Sequence, residues 1–152
     1  MISFNGDKKH IRGLSSQIRK VVSTIIKDHK LSLGQIDYNF VDDNTLLEIN
    51  RSSLNHDYYT DIISFDYTDN GLIEGEIYIS IDRVIDNAKK YKTEFHVELL
   101  RVIFHGVLHY VGYKDKTKNE SHIMRQKEDY YIKEFNKQFH VEQRKWKKNT
   151  IL

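Results

Sequence analysis

Between Leu99 and Val111 the chain is apolar almost all the way round a helical wheel, and every other element must accommodate that segment. A helix at a protein surface shows one apolar stripe, whereas a helix apolar on every side has to be wrapped by other elements. This one opens at Thr93 with Glu94 behind it and runs to Val111. Gly112 then supplies a stop, because glycine readily takes the left-handed conformation that closes a last turn. Two histidines, His105 and His109, interrupt the apolar surface; four residues apart, they share one face of the helix. Asp115 follows the stop on a short loop. Buried imidazoles are costly without partners, and one metal ion would satisfy both; the competing reading is a pair of hydrogen-bonded core histidines. Two imidazoles and a carboxylate leave a fourth position for water, the plan of a catalytic zinc centre and not of a closed structural one. His122, inside the next helix, is the fallback third ligand. The chain has no cysteine, so any metal must be held by His, Asp or Glu.

The remaining segments supply the wrapping. Ile2-Ser3-Phe4 alternates like a short edge strand, and apolar residues recur at helical spacing from Arg12 to Lys30. Ile36, Tyr38 and Phe40 alternate with polar neighbours as a strand; Asp43 is expected to cap a short helix through Leu46, Leu47 and Ile49. Arg51 to Thr60 shows no period and is expected to be loop. Asp61 to Tyr67 and Glu74 to Ile81 are β-prone runs around Asp69-Asn70-Gly71, a hairpin turn. Asp82 opens a helix to about Tyr91. Asn119 to Phe139 forms a last amphipathic helix with Ile123, Tyr130, Tyr131, Phe135 and Phe139 inward. The expected fold class is α+β, a small mixed sheet of about four strands with about five helices, built on a hairpin and not a βαβ repeat. Residues 1–140 are expected to form a single metallohydrolase domain. Residues 141–152 form a basic C-terminal tail, either a solvated terminus or an arm for phosphates.

Composition narrows the function classes. With 152 residues, 39% hydrophobic and 30% charged, the chain has the make-up of a soluble globular domain. No apolar run is long enough to span a bilayer, and the opening residues do not form a signal peptide, so a cytoplasmic location and no membrane partner are expected. A net charge of +2 does not by itself argue for nucleic acid. The helix carries Gly106 where the H-E-x-x-H motif of zinc proteases has its glutamate, which argues against peptide hydrolysis.

Three segments together carry a family resemblance. His105-Gly106-Val107-Leu108-His109-Tyr110-Val111-Gly112-Tyr113 resembles the HGxLHxxGYDH signature of the YbeY family of bacterial rRNA maturation endoribonucleases. Asp57-Tyr58-Tyr59-Thr60-Asp61-Ile62-Ile63-Ser64-Phe65 is similar to that family's DxPTDVLSF segment, and Gly75-Glu76-Ile77-Tyr78-Ile79-Ser80 to its GDIxIS strand. The resemblance implies a zinc-dependent, single-strand-specific endoribonuclease acting in late 16S rRNA 3′-end maturation and ribosome quality control. Its implied partners are single-stranded RNA, the 16S precursor and the small ribosomal subunit. It makes His105, His109 and Asp115 the metal ligands, one ion per chain. His56, Asp57 and Asp61 become candidates for orientation and proton transfer, and Arg51, Thr60, Ser64, Lys114 and Lys116 candidates for substrate contact.

Two departures stand out. Asp115 occupies the position of the family's third histidine, and a carboxylate widens the choice of metal towards manganese, nickel or iron. The family's arginine upstream of DxPTD falls on Leu54, leaving Arg51 or His56 to supply the charge. Both departures give weight to an alternative: a ribosome-assembly or RNA-binding factor with a largely structural metal and little cleavage.

Overall fold

The computed structural model describes residues 1–149, with side chains described to Phe139. The chain runs β1 (Ile2–Gly6), α1 (Ser15–Asp28), β2 (Ser32–Val41), α2 (Asp43–Leu54), β3 (Ile62–Asp66), β4 (Leu72–Ser80), α3 (Ile81–Tyr91), α4 (Phe95–Tyr110) and α5 (Lys118–Asn149), with a short 3-10 turn at Lys9–Ile11. The strands form one mixed sheet in the order β1-β2-β4-β3, an α+β fold as expected. The hairpin forms as read: Asn70 and Gly71 take φ of 50° and 76°, the positive pair that a two-residue hairpin turn requires between antiparallel β3 and β4.

The expected absence of a βαβ unit is corrected. β1 pairs parallel with β2 across α1, and β2 pairs parallel with β4. A hairpin leaves turn residues in the sequence, whereas a parallel pair is joined by a long crossover and leaves no local mark.

α4 lies across one face of this sheet. Cross-strand partners share a face, so Ile62 and Ser64 of β3 stand beside Ile79 and Ile77 of β4. At Gly106 the helix packs directly on the sheet, where an added Cβ would sit 2.9 Å from Ile77 and 3.2 Å from Ile62. That position faces the sheet, so no general base could work from it. The Tyr38 hydroxyl donates to the Ile103 carbonyl at 2.9 Å, fixing the helix over β2. Leu99, Leu100, Ile103, Phe104, Val107 and Leu108 are all fully buried, with α1, α3 and α5 closing over the remaining sides. The apolar helix is central because all of its circumference but the face carrying Arg101, His105 and His109 is covered.

Several local readings shift. Asp42, not Asp43, caps α2, accepting from the Thr45 amide at 2.8 Å. Asp43 instead accepts from Ser80 and Arg83, tying α2 to the start of α3. Ser80 caps α3, so that helix begins one residue before Asp82. Arg51–Leu54 are not loop but the last turn of α2, closed by Asn55 in the left-handed conformation. α5 turns Met124, Tyr131, Ile132 and Phe135 inward, whereas Ile123 and Tyr130 are exposed. The basic tail, residues 141–152, lies outside the residues whose side chains are described. Among the described residues no helix is long and apolar enough to cross a membrane.

Candidate metal centre

One face of α4 is left open to solvent and carries Glu98, Arg101, His105 and His109 at helical spacing. It forms the floor of a cleft of about 720 Å³. Thr60, Asp61 and Ser64 wall it from the sheet side, Asn87 and Tyr91 from the end of α3, and Ser121, Arg125 and Glu128 from α5.

The end of α4 brings the three expected ligands together. Gly112, at φ 114°, lets the Tyr113 amide reach back to the Leu108 carbonyl and its own amide to His109, the double closure of a Schellman turn. This directs the Tyr113 carbonyl at His109 and carries Asp115 back over the helix end, where Ser121 donates to the Asp115 carbonyl at 2.9 Å. His105 Nε2 and His109 Nε2 lie 3.0 Å apart, with Asp115 Oδ2 at 3.2 Å from the first and 3.3 Å from the second. Ligands at bond lengths of about 2.0–2.1 Å around a tetrahedral ion stand roughly 3.3 Å from one another, so the spacing fits a small divalent metal.

The hydrogen bonds at the other ring nitrogens strengthen that fit. His109 Nδ1 lies 2.9 Å from the Tyr113 carbonyl, which can only accept, so Nδ1 carries a hydrogen and, in the neutral ring, Nε2 the lone pair. His105 Nδ1 donates to Glu128 Oε2 at 2.6 Å, which in the neutral ring leaves Nε2 as an acceptor too. Two imidazole nitrogens and a carboxylate oxygen thus converge on one point, an arrangement that, with both rings neutral, is repulsive without a cation. The three residues form a cluster able to hold one metal ion.

Glu128 is 5% exposed and bridges two groups, accepting from His105 with one oxygen and from Arg101 at 3.1 Å with the other. Arg101 also pairs with Asp129 at 2.8 Å. Burial alone draws the His105 imidazole down. The hydrogen bond and charge of Glu128, with Asp115 and Asp61 behind them, outweigh it, and the net direction is upward. Asp61 is raised by its own burial, against the opposing pull of His105. Glu98, Arg101 and Glu128 are missing from the sequence reading. Their signal was phase: Glu128 falls among the inward positions of α5, and Arg101 sits one turn before His105 on an otherwise apolar helix.

The other candidates divide. Asp61, Thr60 and Ser64 line the cleft. His56 stacks on Tyr58 with ring centroids 5.2 Å apart, and Asp57 pairs with Arg51 at 2.5 Å. These three, with Lys114, Lys116 and His122, contribute nothing to its wall.

Fold and site define a class: an α+β protein with an open His-His-carboxylate cluster at the end of a buried helix. The family profile described as Endoribonuclease YbeY matches residues 2–136. A protein named Endoribonuclease YbeY from Flavobacterium psychrophilum is 53% identical, the match covering 94% of this chain and 99% of the relative. The Flavobacterium johnsoniae protein of that name is 45% identical, covering 94% and 100%. Among solved structures, the solution structure of a Thermotoga maritima protein aligns with a TM-score of 0.70 at 27% identity over 93% of both chains. The chain belongs to the endoribonuclease YbeY family. The expected enzyme class, a hydrolase acting on RNA, is that of its family.

Proposed function

We propose that this chain is a metal-dependent endoribonuclease that cuts single-stranded RNA, with His105, His109 and Asp115 holding one zinc ion per chain. The observation that carries this reading is the convergence of three potential ligand atoms, all within 4.8 Å of one another, on the floor of an open cleft. Zinc is the first choice, and the carboxylate ligand leaves manganese, nickel or iron as substitutes. When bound, such an ion lowers the pKa of a water and polarises a phosphoryl oxygen. His105 and His109 present fixed Nε2 atoms because Glu128 and the Tyr113 carbonyl hold the far side of each ring. Asp61, raised by burial, is placed in the cleft to exchange a proton with the reacting oxygen. The Thr60 and Ser64 hydroxyls are the contacts for phosphate oxygens. Asp57, Arg51 and His56 hold the preceding loop through their own pairings. Tyr91, 60% exposed at the cleft rim, offers a ring for a base that single-stranded RNA can splay out.

The finer assignment follows the family resemblance. The substrate is the 16S rRNA precursor at its 3′ end, met on the small ribosomal subunit in the cytoplasm, with a further part in ribosome quality control. Residues 1–140 are the catalytic unit, and 141–152 a basic tail touching RNA. A second reading, an RNA-binding assembly factor with a structural metal, is favoured by exposed Leu54 standing where the family pattern has arginine. Elemental analysis of wild type beside His109→Ala, followed by cleavage of single-stranded RNA with and without chelator, separates them. Metal in wild type only, with chelator-sensitive cleavage, supports the enzyme. Metal without cleavage supports the assembly factor, and no metal removes both.

A further inference from the structure

We infer that Arg125 is the cation that grips the RNA phosphate in this cleft, in place of the arginine whose position Leu54 occupies; the inference rests on the nuclease reading above. Charge around the cleft leads to it. Four carboxylates line the wall, those of Asp61, Glu98, Asp115 and Glu128, against two guanidiniums, Arg101 and Arg125. A polyanion entering this space needs a cation that is not already neutralised. Arg101 cannot serve. Its side chain is only 15% exposed, and it pairs with Glu128 at 3.1 Å and Asp129 at 2.8 Å, with Glu98 3.7 Å from its Nε. Arg51 is engaged by Asp57 at 2.5 Å and Glu48 at 3.8 Å, outside the cleft.

Arg125 differs on each count. It lies on α5 four residues after Ser121 and three before Glu128, so the three share the helix face that walls the cleft. It is exposed, and among the described residues it has no hydrogen bond or ion pair. Its free planar fork suits two oxygens of one phosphodiester. Because Glu128 on the same face holds His105, a phosphate seated on Arg125 is drawn to the side of the cleft where the metal ligands lie.

The test is steady-state cleavage of a fluorogenic single-stranded RNA by metal-loaded wild type, Arg125→Ala and Arg125→Lys, with metal content measured in each. Arg12→Ala, an exposed arginine outside the cleft, controls for the lost charge. Loss of one charged hydrogen-bonding contact should lower kcat/KM on the order of 10–100-fold in Arg125→Ala at unchanged metal stoichiometry, with partial recovery in Arg125→Lys. The slope of log kcat/KM against log salt should flatten by about 0.7, the share of one phosphate on a single strand, which a merely structural role would not produce. Unchanged kcat/KM and slope in Arg125→Ala overturns the inference, as does loss of its metal or a larger defect in Arg51→Ala. If metal-loaded wild type cleaves nothing, the nuclease reading falls and the arginine is judged by anisotropy with the same RNA. Weaker binding by Arg125→Ala then upholds it, and equal binding overturns it.

Discussion

Glu128 holds the His105 ring of the cluster from behind, one buried carboxylate oxygen taking the Nδ1 hydrogen at 2.6 Å. Glu128→Gln keeps an acceptor of the same size and removes only the charge. Metal affinity, read by competition with a chromophoric chelator, should fall on the order of 10–100-fold. The far-UV circular dichroism should stay as in wild type. Unchanged affinity would reduce Glu128 to a partner of Arg101 alone. Asp115→His tests the third ligand from the opposite side. It replaces the carboxylate by the imidazole usual in the family and is expected to retain or tighten zinc binding. Loss of zinc in that variant would take position 115 out of the ligand set.

The start of α5 decides where Asp115 and Glu128 stand relative to each other, and it is built as a capping box. Thr117 Oγ1 accepts from the Glu120 amide at 3.1 Å while Glu120 Oε1 accepts from the Thr117 amide at 2.9 Å. Thr117→Ala should cost about 1 kcal/mol in urea denaturation. Backbone hydrogen bonding from Thr117 holds the Glu120 carboxyl below its ordinary value of 4.5. A depressed folded-state value means the contribution is present above that ordinary value and lost as pH falls through the folded one. The stability gap between wild type and Glu120→Ala should therefore be widest near neutral pH and close in acid. A gap that persists in strong acid would mean the charged box is not its source. The box was legible, since Thr117 and Glu120 stand three apart before the apolar phase of α5 begins, yet the sequence reading starts the helix at Asn119. What it caught was periodic or punctuated: the all-round apolar helix, the β2 alternation and the Asn70-Gly71 hairpin. Missed were relations between segments, such as the parallel pairing of β1 with β2, and polar residues in core phase. Arg51 reads as loop because Arg51-Ser52-Ser53 has no apolar residue to keep the helical period, although hydrogen bonding carries α2 through it.

At the scale of the whole molecule, an ion in the cluster would add a tie between parts that Arg101 already joins through Glu128 and Asp129. His105 and His109 belong to α4, Asp115 to the turn after it, and Glu128 to α5, so an ion held there links the central helix to the helix packed against it. An ion that binds the folded chain and not the unfolded one stabilises by RT ln(1 + [M]/Kd), about 4 kcal/mol when free metal is 1,000-fold above Kd. At roughly 2–4 °C per kcal/mol for a chain of this size, chelation should lower Tm by on the order of 10 °C. His109→Ala should start near that lower value and respond little to chelator. The location of the effect is also constrained. No residue of β1, β2 or α1 lines the cleft, so their exchange is expected to respond least to the ion. Hydrogen exchange should therefore rise first at the turn from Gly112 to Thr117 and in the first turns of α5. A Tm indifferent to chelator in wild type would mean that packing of α4 alone holds the two helices together, with the cluster contributing nothing to their union.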